Sequence, residues 1–166
     1  MNHHVFLGTG ANLGNRLENL HRAVAALREI MEIDQLSSVY ETAPWGFQDQ
    51  PAFLNQVVSG TTTLAPFELL DSLKMIEKMI GRMPTFRYGP RVIDIDILFY
   101  DDLILEDENL TIPHPNLTER AFVLAPLDEI APNLIHPVSK LTIHEIVSRM
   151  NVEGVTIFQE STEKEK

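Results

Sequence analysis

Residues 93–99, Ile93-Asp94-Ile95-Asp96-Ile97-Leu98-Phe99, constrain this chain more than any other stretch. Apolar and acidic side chains alternate with period two. That predicts a strand with Ile93, Ile95, Ile97 and Phe99 on one face and Asp94 and Asp96 on the other. Side chains two apart on a strand point the same way, about 7 Å from each other. Aspartate is depleted in strands and like charges on one face repel, so the acidic face needs something to offset that cost. Exposure to solvent is one answer, and a divalent cation held between the carboxylates is the other. Arg91, delivered by the Gly89-Pro90 turn, and the basic segment before it favour the second answer, a site for metal and phosphate.

The distribution of charge points the same way. Residues 74–91 hold five basic side chains (Lys74, Lys78, Arg82, Arg87, Arg91) and one acid, Glu77, whereas residues 94–108 hold seven acids and no base. A basic arch beside an acidic patch suits a small polyanion bound with its metal ions, and a net charge of −11 argues against nucleic acid as a partner. With no cysteine in the chain, a metal must take oxygen or imidazole ligands. No apolar run reaches the ~18 residues needed to span a bilayer, and no signal peptide is visible. The expectation is a cytoplasmic monomer with no membrane partner. At 166 residues and 44% apolar, the chain suits one domain, expected over 1–160, with a frayed polar tail at 161–166 and no room for a fused partner.

The rest of the pattern supplies the elements. Val5-Phe6-Leu7 predicts a first strand and Gly8 to Gly14 a loop, after which Leu17, Leu20, Val24, Leu27 and Met31 recur at helical spacing. Residues 35–42 predict a strand, 43–51 a loop and 53–63 another strand. Pro66 opens a second helix with Leu69, Leu70, Leu73, Ile76, Met79 and Ile80 on one face, and Gly81 stops it. A loop over 82–90 leads into the aspartate strand. A short strand follows around Leu103–Leu105, then helices over 118–130 and 142–150. The order β-α-β-β-α-β predicts an α+β, ferredoxin-like (split βαβ) fold, an antiparallel or mixed sheet with helices mainly on one side.

Several motifs carry chemistry. Gly8, Gly10 and Gly14 are spaced G-x-G-x-x-x-G, which fails the dinucleotide pattern, so a plain turn with Asn12 near the helix cap is the better reading. No P-loop is present. The segment 81–91 reads either as a solvated basic loop or as arginines aimed at phosphate oxygens. His114, between Pro113 and Pro115 and close to Arg120, reads as structural or as a phosphate contact. Trp45 and Phe47 read as core aromatics or, since they lie in a Pro/Gly loop with no period to bury them, as a stacking platform for a flat heterocycle.

Three segments then stand in order: Gln48-Asp49-Gln50-Pro51-x-Phe53-Leu54-Asn55; a basic loop with Gly89-Pro90-Arg91-x-x-Asp94-x-Asp96; and Pro113-His114-x-x-x-x-x-Arg120-x-Phe122. Together they resemble the 6-hydroxymethyl-7,8-dihydropterin pyrophosphokinase family of folate biosynthesis, over nearly the whole chain. The resemblance implies a magnesium-dependent transfer of pyrophosphate from ATP to the pterin hydroxymethyl group, releasing AMP. By the same resemblance, Asp94 and Asp96 would hold two Mg²⁺ ions, and Arg82 and Arg91 would neutralise phosphate charge. Glu77, Thr111, His114 and Arg120 would surround the nucleotide. Phe53 and Phe122 would sandwich the pterin, with Asn55 and the Thr42–Ala43–Trp45 segment reading its edge. Pro84, Tyr88, Asn109 and Ala43 depart from the family's usual residues, which bears on loop closure rather than reaction class. The non-periodic segments 10–15, 43–52 and 82–90 are expected to order around substrates. Two other readings use the same acids: a metal-dependent phosphohydrolase, and a ligand-binding module without turnover.

Overall fold

In the computed structural model, which describes residues 1–43, 49–82 and 90–159, the period-two segments form one six-stranded sheet and every pairing in it is antiparallel. The elements run β1 (His3–Ala11), α1 (Arg16–Leu27), β2 (Glu32–Leu36), β3 (Tyr40–Thr42), β4 (Phe53–Thr62), α2 (Pro66–Ile80) and β5 (Asp94–Tyr100). A small hairpin, β6 (Leu105–Glu106) and β7 (Thr111–Ile112), precedes α3 (Ala121–Ile130), α4 (Ile143–Ser148) and β8 (Val155–Ile157). The sheet order is β5-β1-β4-β3-β8, with β2 also on β4, so the first five strands and two helices make the expected ferredoxin-like unit. The tail 161–166 lies outside the described residues.

Helix α1 turns Leu20, Ala23, Val24 and Leu27 inward, and α2 turns Leu69, Leu73, Ile76 and Ile80 inward. They close over Val5, Leu7, Leu54, Val58, Ile93, Ile95 and Ile97 to make the main core. Pro66 at the first turn and Gly81 at φ 121° bound α2 as the sequence implies. Met79, assigned to the inner face, is instead 67% exposed; the core position on that turn goes to Glu77.

Other expectations change in instructive ways. Gly8 to Ala11 continue β1 rather than forming a loop, because β4 pairs along all of them and β5 as far as Gly10. The helix cap is Asn15, whose side chain accepts from the Glu18 amide, and Asn12 is buried elsewhere. The predicted strand over 35–42 is two, β2 and β3, since Ser37 leaves the ladder and exchanges bonds with Val57 instead. Phe99 does not share a face with Ile97: the register shifts between Phe6 and Leu7, so Leu98 is the extra residue and Phe99 joins Phe6 on the second face. That second face is not bare, because α3 and α4 pack Val123, Leu124, Leu127, Ile143 and Ile146 against it. The helix expected over 118–130 is a 3-10 turn (Leu117–Glu119) and α3, separated at Arg120, whose backbone is extended. Strand β8 was not foreseen; it is short and gains its place only by pairing with β3.

Candidate active site

The part of the second face that α3 and α4 leave open is the candidate site. Across β5, β1 and β4, Asp94, Gly10 and Asn55 stand in one row, and Asp96, Gly8 and Val57 in the next. With strands roughly 4.8 Å apart, the carboxylates and Asn55 are about 10 Å apart across a glycine floor. A Cβ on Gly10 would lie 2.7 Å from Asn55 Nδ2, so the bare backbone is what lets that amide lie against β1. The resulting cavity has a volume of about 350 Å³.

Most sequence-predicted residues meet there. Asp94, Asp96, Arg91, His114 and Arg120 line its charged end. Thr42, Ala43, Phe53, Asn55 and Phe122 line the remainder. The Arg120 guanidinium sits 5.7 Å from the Phe122 ring centroid, made possible by the extended junction before α3. Trp45, with Phe47, Pro84, Arg87 and Tyr88, lies outside the described residues.

Three candidates sit differently. Arg82 bridges from behind, with Nη1 2.8 Å from Glu77 Oε1 and 3.2 Å from Asp94 Oδ1. Glu77, 6% exposed, does not line the cavity: its other oxygen accepts the Ile95 amide at 2.7 Å. Thr111 lies in the β6–β7 hairpin, where its hydroxyl meets the Asp107 carbonyl, away from the cavity. Asn109 is exposed in the same hairpin turn. Gly8 and Gly10, which the sequence reads as a turn, line the cavity together with Leu98 and Leu117. Only the register of β1 against β5 and β4 could have found the two glycines.

Acids and arginines are interleaved at the charged end of the cavity. Burial raises the pKa of Glu77, opposed by the Ile95 amide and Arg82, while Asp94 adds to the rise. Burial works against the charge on Arg82, but Asp94 and Glu77 outweigh it and hold the guanidinium protonated. Asp96 is pushed above the usual carboxylate range, first by burial and then by Asp94, with Arg120 and Arg82 pulling it back. His114 is lowered to about 4 by burial and then by Arg120, so it is neutral at pH 7. Its Nδ1 accepts the Asn116 amide at 3.2 Å, which leaves the proton on Nε2, 3.9 Å from Asp96 Oδ2.

The donor set fits a hard divalent cation. Among the described residues no group of three or more His, Cys, Asp or Glu is gathered for an all-protein metal site. Two adjacent carboxylates leave most coordination positions to phosphate oxygens and water, the pattern Mg²⁺ favours. At the other end, Asn55 Oδ1 is buried with no hydrogen-bond partner among the described residues, an acceptor available to a ligand N–H.

Residues 6–132 match the family described as 7,8-dihydro-6-hydroxymethylpterin-pyrophosphokinase (HPPK). The 2-amino-4-hydroxy-6-hydroxymethyldihydropteridine pyrophosphokinase of Aquifex aeolicus is 45% identical over 141 residues, covering 85% of this chain and 88% of that protein. The protein of the same name from Bacillus subtilis is 45% identical over 132 residues, covering 78% of this chain and 79% of that one. A folic acid synthesis protein of Dictyostelium discoideum is 43% identical over 91% of this chain, which spans only 22% of that longer protein. Among solved structures, the HPPK-DHPS protein of Plasmodium falciparum matches with TM-score 0.74 at 19% identity, over 92% of this chain and 46% of that one, a likeness of fold.

Proposed function

The chain belongs to the 7,8-dihydro-6-hydroxymethylpterin-pyrophosphokinase family of folate-synthesis enzymes, and from that premise we propose how its cavity divides the work. The triphosphate of ATP lies at the β5 end, and 6-hydroxymethyl-7,8-dihydropterin lies over the glycine floor toward β4. The row Asp94–Gly10–Asn55 carries this reading: it joins a cation-holding end to a hydrogen-bonding end within one cavity.

Arg91 and Arg120 neutralise phosphate oxygens at the charged end, while Arg82, held by Glu77, fixes Asp94. Phe53 and Phe122 hold the flat ring, and Asn55 Oδ1 accepts one of its N–H groups. Neutral His114 donates from Nε2 toward the phosphates or Asp96. Asp94 and Asp96 would hold Mg²⁺, which supplies neutralisation of phosphate charge and acidifies a bound hydroxyl. The pterin hydroxymethyl oxygen attacks the β-phosphorus of ATP. The bond from that phosphorus to the α–β bridging oxygen breaks, AMP departs, and the hydroxyl proton passes to solvent. Such a transfer needs positioning and charge neutralisation more than covalent help from the protein.

The test is AMP formation from ATP with pterin and Mg²⁺ each present or omitted. Strict dependence on both is the expected result. Phosphate released from ATP without pterin would favour a phosphohydrolase instead. Pterin and nucleotide binding without any product would favour a module that only binds.

A further inference from the structure

Asn12 belongs to no part of the cavity wall, yet it is 1% exposed, and its backbone N–H and both ends of its carboxamide are hydrogen-bonded. Its backbone amide donates to the Arg91 carbonyl at 3.0 Å, and its Oδ1 accepts the Arg91 amide at 2.7 Å. Its Nδ2 donates to Gln50 Oε1 at 2.7 Å and to the Pro51 carbonyl at 3.1 Å. The amide orientation is fixed chemically, since a backbone N–H on one side demands the oxygen and a backbone carbonyl on the other demands the nitrogen. The next carbonyl, Ala52, is held from the same segment by Arg16 Nη1 at 3.0 Å, an arginine also paired with Glu41.

These bonds join three stretches of chain that are far apart in sequence. Arg91 lines the charged end of the cavity, and Pro51–Ala52 lead directly into Phe53 and Asn55 at the other end. Neither Arg91 nor Pro51 lies in a regular element, so no ladder fixes them. A buried side chain bonded on both sides supplies the constraint that secondary structure does not.

We infer that Asn12 is a positioning residue of this site: one buried carboxamide sets the Arg91 backbone for the phosphates with its oxygen and the Pro51–Phe53 approach for the heterocycle with its nitrogen. The inference rests on the proposed division of the cavity between nucleotide and pterin. Because the two halves of the carboxamide serve different segments, they can be separated chemically. Asn12→Asp keeps the acceptor for the Arg91 amide but sets a carboxylate oxygen against the Pro51 carbonyl. A backbone carbonyl cannot turn a donor toward that oxygen. Asn12→Ala removes both halves.

The experiment measures KM for ATP and for 6-hydroxymethyl-7,8-dihydropterin, with kcat, in wild type and both variants. Amide hydrogen exchange at Arg91 and Ala52 is followed in the same proteins without substrates. Asn12→Asp should raise the pterin KM tenfold or more while leaving the ATP KM within threefold. Asn12→Ala should raise both and lower kcat at least tenfold. The Arg91 amide should stay protected in the Asp variant and exchange faster in the Ala variant. A purely structural Asn12 would lower the amount of active enzyme, so kcat would fall with both KM values unchanged; that result overturns the inference, as does equal movement of both KM values in Asn12→Asp. If wild type itself forms no AMP, the pyrophosphokinase reading fails. The exchange pattern alone then decides whether Asn12 holds the two segments.

Discussion

The two faces of β1 and β5 show opposite uses of the same backbone. On the face under α1 and α2, Val5, Leu7, Ile93, Ile95 and Ile97 are all below 5% exposed and contribute burial. One residue along, on the other face, the same strands carry Gly8, Gly10, Asp94 and Asp96, which contribute almost none. Two adjacent carboxylates and a bare glycine floor make that face costly to the fold. The period of two lets the closed face carry stability while the open face carries chemistry. Stability and turnover should therefore separate by face.

The largest expected effect lies on the open face. If Asp96 holds metal as proposed, Asp96→Asn should cut pterin-dependent AMP formation by about 10³-fold or more, since losing a metal ligand at a phosphoryl site costs several kcal/mol of barrier at ~1.36 kcal/mol per tenfold. Its melting temperature should hold or rise, because the substitution removes a charge that burial and Asp94 both disfavour. A sharp fall in melting temperature would break the comparison. On the closed face the signs reverse: Leu7→Ala should cost about 2–5 kcal/mol of stability while both KM values stay within twofold. Leu7 is fully buried one residue from Gly8, so proximity to the site is matched and only the face differs.

The sequence shows the closed face readily and the open face in part. Hydrophobic period alone places Leu20, Leu27, Leu73 and Ile95, because burial is a property of the residue and its neighbours in the chain. Asp94, Asp96, His114 and Arg120 stand out because charge or rigid context makes them conspicuous, whereas Asn55 enters only through the family resemblance. Gly8 and Gly10 looked like a turn, since nothing local says that two strands will pair across them. Glu77 and Thr111 were assigned to the nucleotide through resemblance, but Glu77 spends both oxygens on Arg82 and the Ile95 amide, and Thr111 lies in a separate hairpin. Asn12 reads from the sequence only as part of a turn near the helix cap, because its partners, Arg91 and Pro51, are brought to it by the tertiary fold.

A pair of glycines sharpens the contrast at smaller magnitude. A Cβ on Gly60 would stand 2.1 Å from the Glu32 carbonyl oxygen, where backbone must move. Gly60→Ala should therefore cost about 1–3 kcal/mol of stability, read by denaturant unfolding, with pterin affinity unchanged. Gly10→Ala meets only the end of a side chain, Asn55 Nδ2. Unfolding should change by under about 1 kcal/mol, whereas pterin affinity, read by calorimetry, should fall roughly tenfold as the amide is displaced from its place in the cavity. Equal effects on stability from both alanines would mean that Asn55 is as rigid as backbone.

The smallest effect tests whether the covered half of the second face behaves like the closed face. His136 packs edge-on to Phe99 at 5.8 Å, and its Nδ1 accepts the Val138 and Ser139 amides, both at 3.2 Å. Burial lowers its pKa from the ordinary 6.5, so the unfolded chain takes up the proton first. The stability contributed by the neutral ring is complete above pH 6.5 and is lost as pH falls below that value. His114, lowered to about 4, drains stability over the same range, so only a difference between proteins isolates His136. His136→Gln should therefore lose less melting temperature than wild type between pH 7 and pH 5, with KM values unaltered because residue 136 lies off the cavity. An unchanged slope would mean the ring protonates without cost, and the contacts around Phe99 would then be looser than those under α1 and α2.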